Sequence, residues 1–247
     1  MFNDLEKPLQ QRVDGYSYTS IFRTIGFIGD SLSSGEFEII NDKGEKEYHD
    51  LYEYSWGQFI ARKNGLKAYN FSRGGMTAKK YIESFAEEKG YWNKDKACQA
   101  YVIALGVNDL KSMELGTAND VNKDTFASYY MQIICCYREI SPEAKFFLVG
   151  MPKSSDSKRN EIAKQMTNLL IDIAGKFQNV YVLNLYEYGC CYDEEFKEKY
   201  YLNGHMNPMG YIYTAEIVDS YIDYIIRHNS NDFKYVGLIN SGIKYVK

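Results

Sequence analysis

Basic excess, long apolar runs, metal-spaced cysteines and phosphate-binding glycine loops are all missing from this sequence, and each absence excludes something. Of 247 residues, 29 are Lys or Arg and 33 are Asp or Glu, a net charge of −4. The broad positive field that a nucleic acid or an anionic membrane would demand is therefore not there. No apolar stretch reaches the ~18 residues of a membrane-crossing helix, and the opening MFNDLEKPLQQRVDG has neither the basic nor the apolar region of a secretory signal. These features predict a soluble, cytoplasmic protein with no nucleic-acid or membrane partner. The cysteines (Cys98, Cys135, Cys136, Cys190 and Cys191) are odd in number and include two adjacent pairs but no Cys-x-x-Cys spacing. Reduced structural thiols are expected, and no metal. No Pro/Gly/Ser-rich linker interrupts the chain, which predicts one domain over residues 1–247.

What is present is an ordinary globular balance, 45% hydrophobic and 25% charged, so a packed core is expected. The 24 tyrosines fit an aromatic site and a half-buried surface equally well and carry no functional weight. Short apolar runs at 21–28, 67–71, 100–105, 145–149 and 180–185 alternate with segments of helical period. Runs that are apolar nearly throughout are strands covered on both faces, so the alternation predicts βαβ units. The expected fold is a three-layer α/β/α sandwich around a five-stranded, mostly parallel, flavodoxin-like sheet.

Helix signals support this. Ser55-Trp56-Gly57-Gln58 fits a capping box and Asn64-Gly65 a left-handed stop; Thr77 caps a helix carrying Tyr81 and Phe85 before Gly90. Asp124 is expected to open a third helix whose inner side holds Phe126, Ile133, Tyr137 and Ile140. Ile162, Met166, Leu169, Leu170 and Ile173 form the stripe of a fourth. Asn207-Pro208, a cap followed by proline at the first helical position, opens the last, with Ala215, Val218, Ile222 and Ile225 inward. Three stretches break the rhythm. Residues 36–50 read as a small hairpin around Asp42-Lys43-Gly44, inserted after the first strand where it could cover a site. Residues 111–123 form a polar loop, and the tail from 229 holds a strand over 234–239.

Ligands of open parallel sheets bind at the carboxyl ends of the strands, so the turns there should carry the chemistry. They read Gly29-Asp30-Ser31-Leu32, then Asn70-Phe71-Ser72-Arg73-Gly74-Gly75, then Gly106-Val107-Asn108-Asp109, and, after the fifth strand, Asn203-Gly204-His205-Met206-Asn207. Only three histidines are available as a base. His228 falls at a helix C-terminus, where a cation suits the dipole, and His49 lies at the edge of the hairpin. This leaves His205, on the same rim as Ser31. A serine between a buried strand and a helix start exposes its hydroxyl while its own N–H points at developing negative charge. Gly75 admits backbone to the same point, and the Asn108 amide supplies a third donor. Together they would form an oxyanion hole in which each donor is worth roughly 3 kcal/mol of barrier.

The four turns together resemble the SGNH, or GDSL-type, hydrolase superfamily, over most of the chain. The resemblance makes Ser31 the nucleophile, gives Gly75 and Asn108 to the oxyanion hole with the Ser31 N–H, and makes His205 the base. Asp30 and Asp109 then support turns and are not catalytic. It implies a serine ester hydrolase that needs no cofactor and acts on a small ester, an acetylated carbohydrate first and a fatty-acyl ester or thioester second. No Gly-x-Ser-x-Gly elbow supports the α/β-hydrolase alternative. A flavodoxin-like nucleotide-binding protein is disfavoured because the first turn lacks phosphate-cradling spacing. The departure is at the histidine. The family places an aspartate three residues before it, and here that residue is Leu202. A protein that kept the fold as an acyl or carbohydrate binder is therefore a second expectation. For a working enzyme, a Ser31–His205 dyad is expected whose Nδ1–H is held by a backbone carbonyl or the Asn203 amide. Asp193, Glu194 and Glu195 are the upstream carboxylates available instead.

Overall fold

The computed structural model describes residues 5–246. In chain order its elements begin with β1 (Thr24–Gly29), the single-turn α1 (Ser31–Ser34), β2 (Glu36–Ile40), β3 (Lys46–Asp50), α2 (Trp56–Asn64) and β4 (Lys67–Asn70). A helix follows whose ends, α3 (Ala78–Lys80) and α4 (Ala86–Glu88), flank a wider π-wound segment at Tyr81–Phe85. Next come β5 (Ala100–Ala104), α5 (Phe126–Ile140), β6 (Lys145–Val149), α6 (Ser157–Ala174), β7 (Val180–Leu183), α7 (Leu185–Tyr188) and α8 (Glu194–Tyr200). The two-residue strands β8 (Tyr201–Leu202) and β9 (His205–Met206) precede α9 (Pro208–His228) and α10 (Ser230–Phe233). No described helix is long and apolar enough to cross a membrane.

The central sheet has the order β4-β1-β5-β6-β7, and every pair in it is parallel. The expected five-stranded α/β/α sandwich is the observed one. Its strands read as continuous apolar runs because alternate residues feed two different cores. Tyr101, Ile103, Phe146 and Leu148 face one, with Phe126, Tyr130 and Tyr137 of α5. Phe27, Val102 and Phe147 face the other, with Trp56 and Ile60 of α2 and Tyr211, Val218 and Ile222 of α9. Side chains of this size, fully buried, each contribute about 1.5–3 kcal/mol. The deepest tyrosines keep their hydroxyls satisfied: the Tyr81 and Tyr137 oxygens lie 2.6 Å apart, and the Tyr101 hydroxyl accepts from Cys98 N at 2.9 Å.

Local signals placed most element ends correctly. Ser55 Oγ accepts from Gln58 N, Thr77 Oγ1 from Lys80 N and Asn207 Oδ1 from Gly210 N, while Gly65 closes α2 at φ +63°. Residues 36–50 form the expected antiparallel hairpin, β2 on β3. Four expectations need correcting. The first strand begins at Thr24, because Ser17 caps a 3-10 turn over Tyr18–Ile21. The cap of α5 is Thr125, whose hydroxyl accepts from Ser128 N, while the Asp124 carboxylate is taken by Lys79 at 2.8 Å. Ile162 of the fourth stripe is 38% exposed. The tail has no strand over 234–239 but α10 and a 3-10 turn at Val236–Leu238. Phe233, Val236 and Ile239, spaced by three, all turn into the α9-side core.

Candidate active site

The first turn is a strand running straight into a helix. Asp30 caps α1 with its Oδ1 on Leu32 N at 3.1 Å, which makes Ser31 the first helical residue. The N–H of a first helical residue has no partner within its own helix. Ser31 is half-buried. Burial raises Asp30 to about 6, opposed by the Leu32 N–H and reinforced by the charges of Asp109 and Glu36. A supporting and capping role is what its hydrogen bonds describe.

The second and third turns are knotted to the first. Ser72 Oγ donates to Phe27 O at 2.9 Å, and Arg73 N to Gly29 O at 3.3 Å. Gly75 lies in the left-handed region at φ +66°, which a glycine enters without steric penalty, and is exposed there. Asn108 Nδ2 donates to Met76 O at 3.2 Å and to Asp30 Oδ2 at 3.4 Å, so one side-chain amide joins three turns. Asp109, next to it, accepts from Ala78 N at 2.8 Å and is raised to about 6 by burial. Asp109 thus supports the start of α3, in keeping with the role expected of it.

His205 arrives differently from expectation. It does not follow the fifth strand directly: α7 and α8 intervene, and the residue sits in β9, paired with Leu202 of β8. Leu202 is 42% exposed. Neither a backbone carbonyl nor Asn203 holds the ring. Its Nδ1 lies 3.3 Å from Glu38 Oε2 and its Nε2 3.1 Å from Glu36 Oε1. Both carboxylates come from β2 of the hairpin, and the Tyr48 ring of β3 meets the imidazole edge-on at 5.7 Å between centroids. The upstream acids are engaged elsewhere. Asp193 caps α8 through Phe196 N, Glu194 pairs with Lys197 and Glu195 with Lys199. The Ser31 hydroxyl has no hydrogen-bond partner among the described residues, while α1 packs directly on β9. Of the other histidines, His49 is exposed beside Glu47, and His228 ends α9 with its Nδ1 on Tyr224 O.

Glu36 and Glu38 were not among the candidates read from the sequence. The available signal was Glu36-Phe37-Glu38 in a strand, where the period of two puts both carboxylates on one face and Phe37 on the other. Phe37 is indeed buried against Tyr54 and Tyr211. Beneath the first turn lies an apolar cavity lined by Leu32, Val107, Met151, Leu185 and Met206, among others. Among the described residues no cluster of His, Cys, Asp and Glu has the arrangement to hold a metal ion.

The family model of GDSL-like lipases and acylhydrolases matches residues 25–218. Several solved structures share the fold. A family two carbohydrate esterase from Clostridium thermocellum, in complex with cellohexaose, is 17% identical over 90% of this chain and 67% of its own, with a TM-score of 0.58. A carbohydrate esterase family 2 enzyme from Corynascus thermopiles is 14% identical over 87% of this chain and 68% of its own, TM-score 0.59. A family 3 carbohydrate esterase from Clostridium thermocellum is 17% identical over 83% of this chain and 96% of its own, TM-score 0.53. At such identities the likeness is one of fold. Among curated proteins none matches the sequence. The family match spans β1 to the middle of α9 and so takes in all four of the turns described above; the chain belongs to the GDSL-like lipase/acylhydrolase family.

Proposed function

We propose that the protein is a serine ester hydrolase that removes a short acyl group, acetyl above all, from a carbohydrate or similar small ester through an acyl-enzyme on Ser31. The observation that carries this reading is the Asn108 amide, held between the nucleophile turn and the glycine turn by its 3.4 Å and 3.2 Å contacts. This supports the amide as an oxyanion donor together with the N–H of Ser31, which has no partner within its own helix, and the backbone N–H of Gly75, an exposed residue.

In the proposed reaction the Ser31 oxygen attacks the acyl carbon as its proton passes to His205. The carbonyl oxygen becomes an oxyanion facing Gly75 N, Ser31 N and Asn108 Nδ2, whose hydrogen now on Asp30 Oδ2 at 3.4 Å turns to it while the bond to Met76 O stays. Collapse expels the alcohol, which takes the proton from His205, and water repeats the sequence to release the acid. Glu36 must leave Nε2 for the proton to be taken there. The carbohydrate side of the reading is supported by esterases among the fold's neighbours, one of them carrying cellohexaose. A second reading, a fatty-acyl esterase or thioesterase, is favoured by the apolar cavity beside Leu32 and Val107, the residues next to Ser31 and Asn108.

The test is hydrolysis of acetylated sugars and of p-nitrophenyl esters from two to twelve carbons, with fluorophosphonate labelling followed by mass spectrometry. Wild type should label at Ser31 and Ser31→Ala should neither label nor turn over. Preference for the longest chains would discard the acetyl reading. Turnover that survives Ser31→Ala would discard the serine mechanism.

A further inference from the structure

We propose that the orienting acid of this site comes from the hairpin that follows the nucleophile turn: Glu38 is the positioning residue that fixes the tautomer of His205. This rests on the serine-hydrolase reading and supplies what the position of Leu202 lacks.

Four features of β2 and its surroundings carry the argument. Glu38 Oε2 is 3.3 Å from Nδ1, and only 4% of the Glu38 side chain is exposed. The Asn203 amide, just before the histidine, donates to Glu38 O at 2.9 Å, which locks the β8–β9 turn to this one residue of β2. At Gly204 a side chain would collide with Glu38 Oε2, so the glycine beside the base leaves room for this carboxylate. Lys46 Nζ sits 2.6 Å from Glu38 Oε1 and, with His205, holds the carboxyl below its usual range, ionised wherever an ester hydrolase works.

The second carboxylate on the ring is of a different kind. Glu36 meets Nε2, the nitrogen that must receive the serine proton. Burial raises its carboxyl, opposed by His205 and reinforced by the charges of Asp50 and Glu38. A fixed anion on Nδ1 keeps the proton there and leaves Nε2 its lone pair. A carboxyl on Nε2 competes with the substrate-bound serine and has to withdraw. The two glutamates therefore have opposite consequences for turnover, although they share one strand face.

The experiment compares Glu38→Gln, Glu38→Asp and Glu36→Gln for kcat and KM on p-nitrophenyl acetate and for the rate of fluorophosphonate labelling of Ser31. Glu38→Gln should lower kcat and labelling by about 10²–10⁴, up to the ~10⁴ that follows loss of a triad acid, with KM within threefold. Glu38→Asp keeps the charge but withdraws it by one methylene, and should lose at least tenfold without unfolding. Glu36→Gln removes the competitor for Nε2 and should raise kcat. The proposal falls if Glu38→Gln keeps kcat within threefold of wild type, or if Glu36→Gln loses as much. Histidine ¹⁵N spectra test it with no substrate: at a pH where the ring is neutral, His205 should carry its proton on Nδ1, and an Nε2–H tautomer in the wild type overturns the assignment. A wild type with the Nδ1–H tautomer but no ester turnover and no labelling would instead fault the hydrolase reading alone.

Discussion

Replacing Asn108 by alanine separates what its amide does for the reaction from what it does for the fold. The side chain makes two hydrogen bonds, to Met76 O at 3.2 Å and Asp30 Oδ2 at 3.4 Å. At about 1 kcal/mol net for a good bond, and less for these long ones, the stability loss should be about 1–2 kcal/mol. In a chain of this size that lowers Tm by a few degrees, at about 2–4 °C per kcal/mol. An oxyanion donor is worth far more to the transition state, about 2.7–4 kcal/mol, so kcat should fall about 10²–10³-fold with KM little changed. Steady-state kinetics on an acetyl ester, beside thermal unfolding followed by circular dichroism, reads both numbers on one preparation. Asn108→Asp sharpens the comparison by setting a second carboxylate against Asp30, already raised to about 6 by burial; it should be as inactive as the alanine variant. A kcat within threefold of wild type in Asn108→Ala, with the expected loss in Tm, would show that the amide braces the turns and does not touch the oxyanion.

Other outcomes follow from the same structure. Asp109 is buried and its carboxyl lies at about 6 when folded against 3.8 ordinarily. The folded state thus binds its proton more tightly, and the stability this group contributes is present below about pH 4 and lost as pH rises to about 6. Urea midpoints should show wild type losing ground to Asp109→Asn over that window by up to about 3 kcal/mol; a gain for wild type would refute the burial argument. Tyr137→Phe strands the Tyr81 hydroxyl, its partner at 2.6 Å, and should cost about 1–3 kcal/mol. Adding Tyr81→Phe should recover part of that loss, and a strictly additive double-mutant cycle in urea would show the pair to be uncoupled.

Much of this molecule is written locally in its sequence. Strand and helix positions follow from apolar runs and caps that act within a few residues, and the registers of Ser55, Thr77 and Asn207 as caps needed no tertiary information. Three of the four turns were legible for a similar reason: a parallel sheet sends every strand's carboxyl end to one edge, so order along the chain implies convergence in space, whereas the His205 turn lies in the β8–β9 pair beyond α7 and α8. The tail was misread because Phe233, Val236 and Ile239 suit a strand and a helical turn alike, and only the core that accepts them decides. The partner of His205 lay beyond local reading altogether. Alternation in Glu36-Phe37-Glu38 fixes that two carboxylates share a face, but not what that face will meet. The contact joins residues 167 apart in sequence and depends on how the hairpin leans over the β8–β9 turn. That lean comes from the packing of Phe37 and from the space left at Gly204, and packing is a property of the folded whole.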